Sequence, residues 1–139
     1  PYTKLFRSGV NTNSMPSNLD TENQIVKSLT DQFKNKIKTE YVKHNRIKIS
    51  TNQDNLKSLA TSVKELGFEQ VISHGGTDYP DNNVFRIEYH IICVSKKKLR
   101  SIMFSIMTEI SKDNPEIETL IDIFPSAEFH EQETYEILE

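Results

Sequence analysis

A chain of 139 residues, of which 35% are hydrophobic and 27% charged, has the length of one domain with one modest core. Its net charge of −3 excludes the strong positive field of a general nucleic-acid binder. Cys93 is the only cysteine, which excludes a disulfide framework and a cysteine zinc site within the chain. No apolar run approaches the roughly 18 residues that a transmembrane helix requires.

The first third of the chain predicts an arm followed by a helix. Residues 1–18 hold Ser, Asn, Thr and Pro without periodicity, which is typical of a flexible N-terminal arm. From Ile25 onward the apolar residues recur at the spacing of a helix, and Asp20 or Thr21 can cap its start. We expect this helix to end near Lys36.

Two strands and a second helix are predicted next. Residues 46–50 alternate polar with apolar side chains, which is typical of a half-buried strand. A tight turn at His44-Asn45 joins it to a first strand, 38–44. An apolar stripe that ends just before Gly67 predicts the second helix, because glycine is the usual residue beyond a helix C terminus. The stripe consists of Leu56, Leu59, Ala60, Val63 and Leu66.

Three more strands are predicted in the second half of the chain. Residues 68–74 form the first of them, which we expect to bend or bulge at Gly75-Gly76. Residues 84–94 form the second, after a turn at 79–83. Residues 99–110 fit either a helix or a strand, and their β-branched content favours the strand.

Two short helices are predicted at the C-terminal side, one at 117–124 and one from Pro125-Ser126 to at least Ile137. The resulting order, α-β-β-α-β-β-β-α, predicts a two-layer α+β domain over residues 19–137. Its sheet should be mixed and mostly antiparallel, with about five strands and with helices on one face. Residues 138–139 are interpreted as vector-derived.

The sequence contains no recognised motif for phosphate binding or nucleophilic catalysis. Cys93 lies in an apolar run, which predicts a buried thiol. His130-Glu131 begins the zinc-protease pattern H-E-x-x-H, but Thr134 stands where the second histidine must be, one helical turn further on. We therefore expect no complete active site, no catalytic residue and no metal site in this domain.

Four glutamates crowd the last predicted helix, namely Glu128, Glu131, Glu133 and Glu136. Members of the pairs three residues apart share a face of the helix, where like charges repel. A solvated face and a surface that meets arginines of a partner both explain such a pattern. Acid–base catalysis is the third and weakest interpretation.

The segment 125–137 resembles a signature of the 30 kDa subunit of respiratory complex I, the NADH-quinone oxidoreductase. In that family the stretch reads A-N-W-x-E-R-E-x-Y-D-x-F-G. The matching positions here are Ala127, Glu131, Glu133 and Tyr135, and Glu136 stands in place of the acidic Asp. The departures are Glu128 for Asn, Phe129 for Trp and Gln132 for Arg. From Leu56 to Ile137 the order of predicted elements is also similar to the family's.

The resemblance implies a non-catalytic structural or assembly subunit, or a fused N-terminal domain, of a complex-I-like NADH/quinone dehydrogenase that couples electron transfer to ion translocation. It implies no flavin, iron–sulfur cluster, nucleotide or other cofactor in this domain. The implied partners are the 49 kDa-type large subunit and the small iron–sulfur subunit, with no nucleic acid and no membrane span. The implied location is peripheral, on the cytoplasmic side of the membrane.

The last helix is the expected partner interface, because tyrosine gives contact area and carboxylates give charge-assisted hydrogen bonds. The predicted contact residues are Glu128, Glu131, Gln132, Glu133, Tyr135 and Glu136.

Two other functions remain open from the sequence. The first is the N-terminal domain of the large subunit of an energy-converting membrane-bound hydrogenase, in which the same domain occurs. The second is a small-molecule-binding regulatory domain, which predicts a deep pocket near His74, His90 and Cys93. The basic run at 96–98 is typical of a solvated turn, with contact to an anion or a lipid headgroup as the alternative.

Overall fold

A computed structural model describes residues 19–79, 83–114 and 116–138 of the chain, with the backbone alone at 74, 78–79 and 135–138. The predicted N-terminal arm, 1–18, lies outside the described residues, as do Glu139 and the middle of the predicted turn at 79–83. Leu138, the other residue interpreted as vector-derived, ends the last helix.

The described elements follow the predicted order α-β-β-α-β-β-β-α. The helices are α1 (Asp20–Phe33), α2 (Gln53–Leu66) and α3 (Ala127–Leu138), and short 3₁₀ turns occupy Lys34–Lys36 and Lys97–Leu99. The strands are β1 (Ile37–Lys43), β2 (Arg46–Thr51), β3 (Gln70–Tyr79), β4 (Val84–Ile92) and β5 (Met103–Ser111). No helix among the described residues is long and apolar enough to cross a bilayer.

The five strands form one sheet in the order β1-β2-β5-β4-β3. Strands β2 and β5 pair in parallel, and the other three neighbouring pairs are antiparallel. The register places Ile47, Phe104 and Ile91 in one row across the middle of the sheet. Since successive side chains of a strand point to opposite faces, such rows give the sheet one apolar face and one polar face. The predicted mixed, mostly antiparallel α+β fold is confirmed.

The apolar face of the sheet and the helices enclose the core. Helix α1 buries Ile25, Leu29 and Phe33, and α2 buries the stripe predicted from its sequence, except that Leu66 is only partly buried. Phe68 and Phe104 join the two layers, with ring centroids 5.4 Å apart. Helix α3 packs beside the edge strand β3.

Two predictions in the second half of the chain were wrong, and at the start of α1 the cap residue is Leu19, without a side-chain hydrogen bond, instead of Asp20 or Thr21. The register shift in β3 lies between Val71 and Ser73, and the strand runs without interruption through the glycine pair. Beside this shift, the Val71 amide donates a hydrogen bond to Ser126 Oγ (2.9 Å).

The second wrong prediction is the helix at 117–124, where the structure has turns and irregular backbone. A segment this short does not form a stable helix by itself. Its polar groups instead make tertiary contacts, because the Leu120 amide and the Thr119 hydroxyl both donate to the carboxylate of Glu131.

Gly67 ends α2 as predicted. Its φ of 122° is a backbone conformation that L side chains rarely adopt, and an added Cβ would lie 3.0 Å from Lys96 Cδ. At the other end of the helix, Asn52 Oδ1 accepts a hydrogen bond from the Asn55 amide (3.2 Å).

We therefore expect Gly67→Ala to lower the free energy of unfolding by about 1–2 kcal/mol, because alanine is strained at this φ. The measurement is urea denaturation followed by circular dichroism. The matched control is Gly75→Ala, where an added Cβ meets no atom within 4 Å. Equal effects of the two variants would contradict the assigned role of Gly67.

Candidate docking surface on the C-terminal helix

The start of α3 is fixed to the edge of the sheet. The hydrogen bond from the Val71 amide to Ser126 Oγ joins β3 to the residue that precedes the helix. The face of α3 that points inward carries Ala127, Glu131 and Thr134, all buried. Their spacing of four and three residues is that of one helical face. The remaining face of α3 is therefore available to solvent or to a partner.

Glu131 lies inside the domain, with 3% of its surface exposed. Its carboxylate accepts hydrogen bonds from the Tyr89 hydroxyl (2.8 Å), the Thr119 hydroxyl (2.6 Å) and the Leu120 amide (3.0 Å). We call these four residues the Glu131 cluster. A buried carboxylate is tolerated only when donors replace its lost water, and here three of them do.

The predicted partner contact by Glu131 is therefore corrected. Both of its carboxylate oxygens are already bound within the chain, so its role in this domain is structural. It joins β4, the connection between β5 and α3, and α3 itself. The family signature includes Glu131, and in this structure its side chain stabilises the interior of the domain instead of a surface contact.

The outward side of α3 contains Glu128, Phe129, Gln132 and Glu133, all exposed. We call these four residues the docking face. Phe129 is 77% exposed, which makes it the most exposed large hydrophobic side chain of the described residues. Aromatic side chains are enriched at protein interfaces relative to the rest of the surface. For Tyr135 and Glu136, whose side chains are not described, the predicted partner contact stays a prediction.

A polar network that the sequence analysis missed crosses the open face of the sheet. Lys48 Nζ lies 3.0 Å from Glu88 Oε2, Glu88 Oε1 lies 2.9 Å from His90 Nε2, and His90 Nδ1 lies 2.6 Å from Ser73 Oγ. We call this row the cross-strand network. It links β2, β4 and β3. A signal for it exists in the sequence, because Arg86, Glu88 and His90 alternate with apolar residues along β4.

The cross-strand network sets the ionisation of Glu88. The hydrogen bond from His90, helped by Lys48, lowers the pKa of Glu88 from 4.5 to about 2. The order serine, histidine, glutamate also occurs in nucleophilic catalysis. Here Lys48 pairs with the carboxylate, and each group of the row has a bonding partner inside the row. The arrangement can hold three strands in register, and we assign it that role.

Two of the residues expected around a deep pocket, His90 and Cys93, are not brought together. His90 points to the open face of the sheet, whereas Cys93 is 2% exposed and belongs to the core. The side chain of His74 is not described. A groove of about 520 Å³ lies between Lys38, Ser50 and Glu109, and neither His90 nor Cys93 lines it. Within the described residues, no group of three or more His, Cys, Asp and Glu side chains is arranged to hold a metal ion.

Comparison with known proteins identifies the family. Residues 49–139 match the family model described as the 30 Kd subunit of the respiratory-chain NADH dehydrogenase. The chain belongs to this family. The resemblance noted in segment 125–137 is therefore confirmed, and the family match extends over α2, β3, β4, β5 and α3.

Three curated proteins are similar in sequence to this chain. A subunit of the F(420)H(2) dehydrogenase of Methanosarcina mazei is 28% identical, over 81% of this chain and 70% of its own length. The related subunit of the NADH-quinone oxidoreductase of Mycolicibacterium gilvum is 24% identical over 76% of this chain, and that of Saccharopolyspora erythraea is 25% identical over 69%. The chain spans only 47% and 39% of the length of these last two proteins.

Two solved structures share the fold. A chain of the membrane-bound sulfane sulfur reductase, an archaeal respiratory membrane complex, superposes with a TM-score of 0.71 at 21% identity, over 82% of this chain and 65% of that one. A trypsin-resistant fragment of Nqo5 superposes with a TM-score of 0.67 at 18% identity, over 81% of this chain and 91% of that one. Both matches establish the two-layer α+β architecture for this chain.

Truncating Glu131 tests the interior role that the structure assigns to it. We expect Glu131→Ala to lower the free energy of unfolding by about 2–4 kcal/mol, because it removes the hydrogen bonds from Tyr89 and Thr119 and the acceptor of the buried Leu120 amide. Chemical denaturation of the purified chain measures this. Glu133→Ala, on the exposed side of the same helix, serves as the control and should change stability by less than about 0.5 kcal/mol. A small effect at both positions would contradict the structural role.

The low pKa of Glu88 gives a stability contribution with a defined pH range. Because the folded-state pKa is depressed, the contribution is complete above the ordinary value of 4.5 and is lost as the pH falls toward about 2. We expect wild type to be more stable than Glu88→Gln at pH 6, with a difference that shrinks between pH 4.5 and pH 2. Urea midpoints across this range measure it, with Glu128→Gln as the exposed control. A difference that is independent of pH would contradict the assignment.

Proposed function

We propose that the chain is a non-catalytic structural and assembly subunit, or a fused N-terminal domain, of a complex-I-like dehydrogenase that couples electron transfer to ion translocation. The observation that carries the proposal is the family match over residues 49–139. The names of the curated relatives support it, since each is one subunit of a dehydrogenase or oxidoreductase. In this proposal the domain binds no cofactor, and it lies peripherally at the cytoplasmic side of the membrane.

The docking face supplies the contact in this proposal. Phe129 fits an apolar pocket of a neighbouring subunit, and Glu128 and Glu133 flank it with carboxylates that can bind arginine or lysine side chains. An aromatic anchor at the centre with polar and charged groups at the rim is a frequent composition of protein interfaces. The proposed partners are the 49 kDa-type large subunit and the small iron–sulfur subunit.

The interior contacts of α3 support a docking role because they fix the helix before any partner binds. The Glu131 cluster holds its middle, and the hydrogen bond between Ser126 and Val71 holds its start. A surface that is already ordered loses less conformational entropy on association than a mobile one. The docking face can therefore bind a partner specifically even when the contact area is modest.

The test is purification of the tagged full chain from its host, comparing wild type with Phe129→Ser and with the double variant Glu128→Lys, Glu133→Lys. We expect wild type to bring down the other subunits of a respiratory dehydrogenase, identified by mass spectrometry. Each variant should remain folded by circular dichroism and should recover roughly tenfold less of these subunits, which corresponds to losing about 1.4 kcal/mol of binding.

The matched control is the double variant Asp31→Lys, Glu116→Lys, which makes the same charge change at exposed positions outside α3. It should recover the partner subunits as wild type does. Recovery of wild-type chain without any respiratory subunit would refute the proposed function. Normal recovery with both docking-face variants would show that α3 does not make the contact.

A further inference from the structure

The hairpin between β1 and β2 lies against the loop that leads into β5. The Met103 amide donates to the carbonyl oxygen of Asn45 (3.0 Å), and the Ser101 hydroxyl donates to Asn45 Oδ1 (3.1 Å). This contact places two short segments side by side at one end of the sheet. Each of them is rich in lysine and arginine, although they are about fifty residues apart in the sequence.

Together these segments form a basic end, which we define as Lys43, Arg46, Lys96, Lys97, Lys98 and Arg100. All six side chains are exposed. Two nearby carboxylates offset part of this charge, and one of them, Glu22, is buried and accepts a hydrogen bond from the Asn45 amide. Glu69 is bound by the amides of Val94 and Ser95. Because the whole chain carries a net charge of −3, its composition alone does not predict a concentrated positive surface.

Four of the six cations are held in position by neighbouring groups. Arg100 Nε donates to the Val94 carbonyl (2.9 Å), and Arg46 Nη1 donates to the Asn45 carbonyl (3.3 Å). Lys96 Nζ donates to the Leu66 carbonyl (3.3 Å) at the C terminus of α2, where a cation is favoured. Lys43 Nζ lies 4.8 Å from the ring centre of Tyr41. These four charges are thus positioned before any partner arrives.

We propose that the basic end binds a carboxylate-bearing surface of a neighbouring protein subunit. The two guanidinium groups each keep nitrogen atoms that can face a carboxylate, and the planar guanidinium matches carboxylate geometry. Fixed cations suit a structured acidic surface, since they lose little side-chain entropy on binding. This inference rests on the proposed function and adds a second contact, which shares no residue with the docking face.

Two other anionic partners fit the surface less well. An interfacial membrane contact combines cations with a broad set of apolar side chains that enter the bilayer. Here the exposed side chains from Ser95 to Lys98 are all polar, and Val94 adds one apolar side chain that is only half exposed. Single-stranded nucleic acid is bound by cationic grooves that also present exposed aromatic rings for base stacking, whereas the ring beside the basic end, Tyr41, is half-buried and already contacts Lys43. A protein carboxylate surface therefore agrees best with this composition.

The experiment uses the complex isolated through the tagged chain. Lysines are acetylated with an amine-specific reagent in the complex and in the isolated chain, and a carbodiimide joins amines to adjacent carboxylates. We expect acetylation of Lys97 and Lys98 to be at least about fivefold slower in the complex, with cross-links to Asp or Glu of one other subunit. Lys27, whose side chain is 79% exposed on α1, is the internal control and should react equally in both.

Charge reversal gives the second measurement. The double variant Lys97→Glu, Lys98→Glu should recover about tenfold less of the cross-linked subunit at physiological salt, because like charges then face each other. The matched control, Lys27→Glu with Lys34→Glu, reverses two exposed lysines outside the basic end and should recover it normally.

The outcomes separate this inference from the proposed function. A complex that forms while Lys97 and Lys98 remain fully reactive overturns the basic-end proposal and leaves the proposed function standing. Protection that disappears when lipid is exchanged for detergent, without any cross-link, overturns it in favour of a membrane contact. A chain that isolates with no other respiratory subunit overturns both.

Discussion

A carboxylate removed from water has to find donors inside the protein, and the position of the last helix depends on how Glu131 meets this requirement. The three donors come from β4 and from the connection that follows β5. One side chain of α3 thereby determines where the helix lies on the sheet and how the connection before it is folded. The exposed side of α3 is oriented as a consequence, because the inward side is fixed.

The two faces of the sheet contribute to the domain in different ways. The apolar face packs under α1 and α2 and supplies most of the hydrophobic burial. The polar face carries the cross-strand network, in which Lys48 on β2 pairs across β5 with Glu88 on β4. An antiparallel sheet with one covered face and one polar face needs no second helical layer. Surfaces for partners are then left to α3 and to the ends of the strands.

The two proposed contact surfaces give a consistent physical picture of the proposed assembly role. The docking face offers an aromatic ring with carboxylates, and the basic end offers fixed cations at the end of the sheet where β2 and β5 begin. Surfaces of opposite charge on one small domain favour one orientation between neighbours and disfavour the reversed one. Such a domain can serve as a spacer of defined orientation between subunits.

Sequence reasoning predicted the parts of this fold that depend on local periodicity. The stripe of α2 with its terminal Gly67, the alternation of β2 and the order of the elements were all confirmed. The signature in segment 125–137 also indicated the family correctly. These features follow from neighbouring residues, because helix and strand periods and glycine conformations are local properties of the chain.

Other features were decided only when distant segments met. Beside the register shift of β3 the Val71 amide bonds to Ser126, and in the segment 117–124 the Leu120 amide and the Thr119 hydroxyl bond to Glu131. The basic end exists because residues near 45 and near 100 pack together. By itself the sequence determined the elements, their order and the family. Burial of Glu131 and the grouping of the charges needed the tertiary structure, since desolvation and charge proximity depend on contacts between segments far apart in the chain.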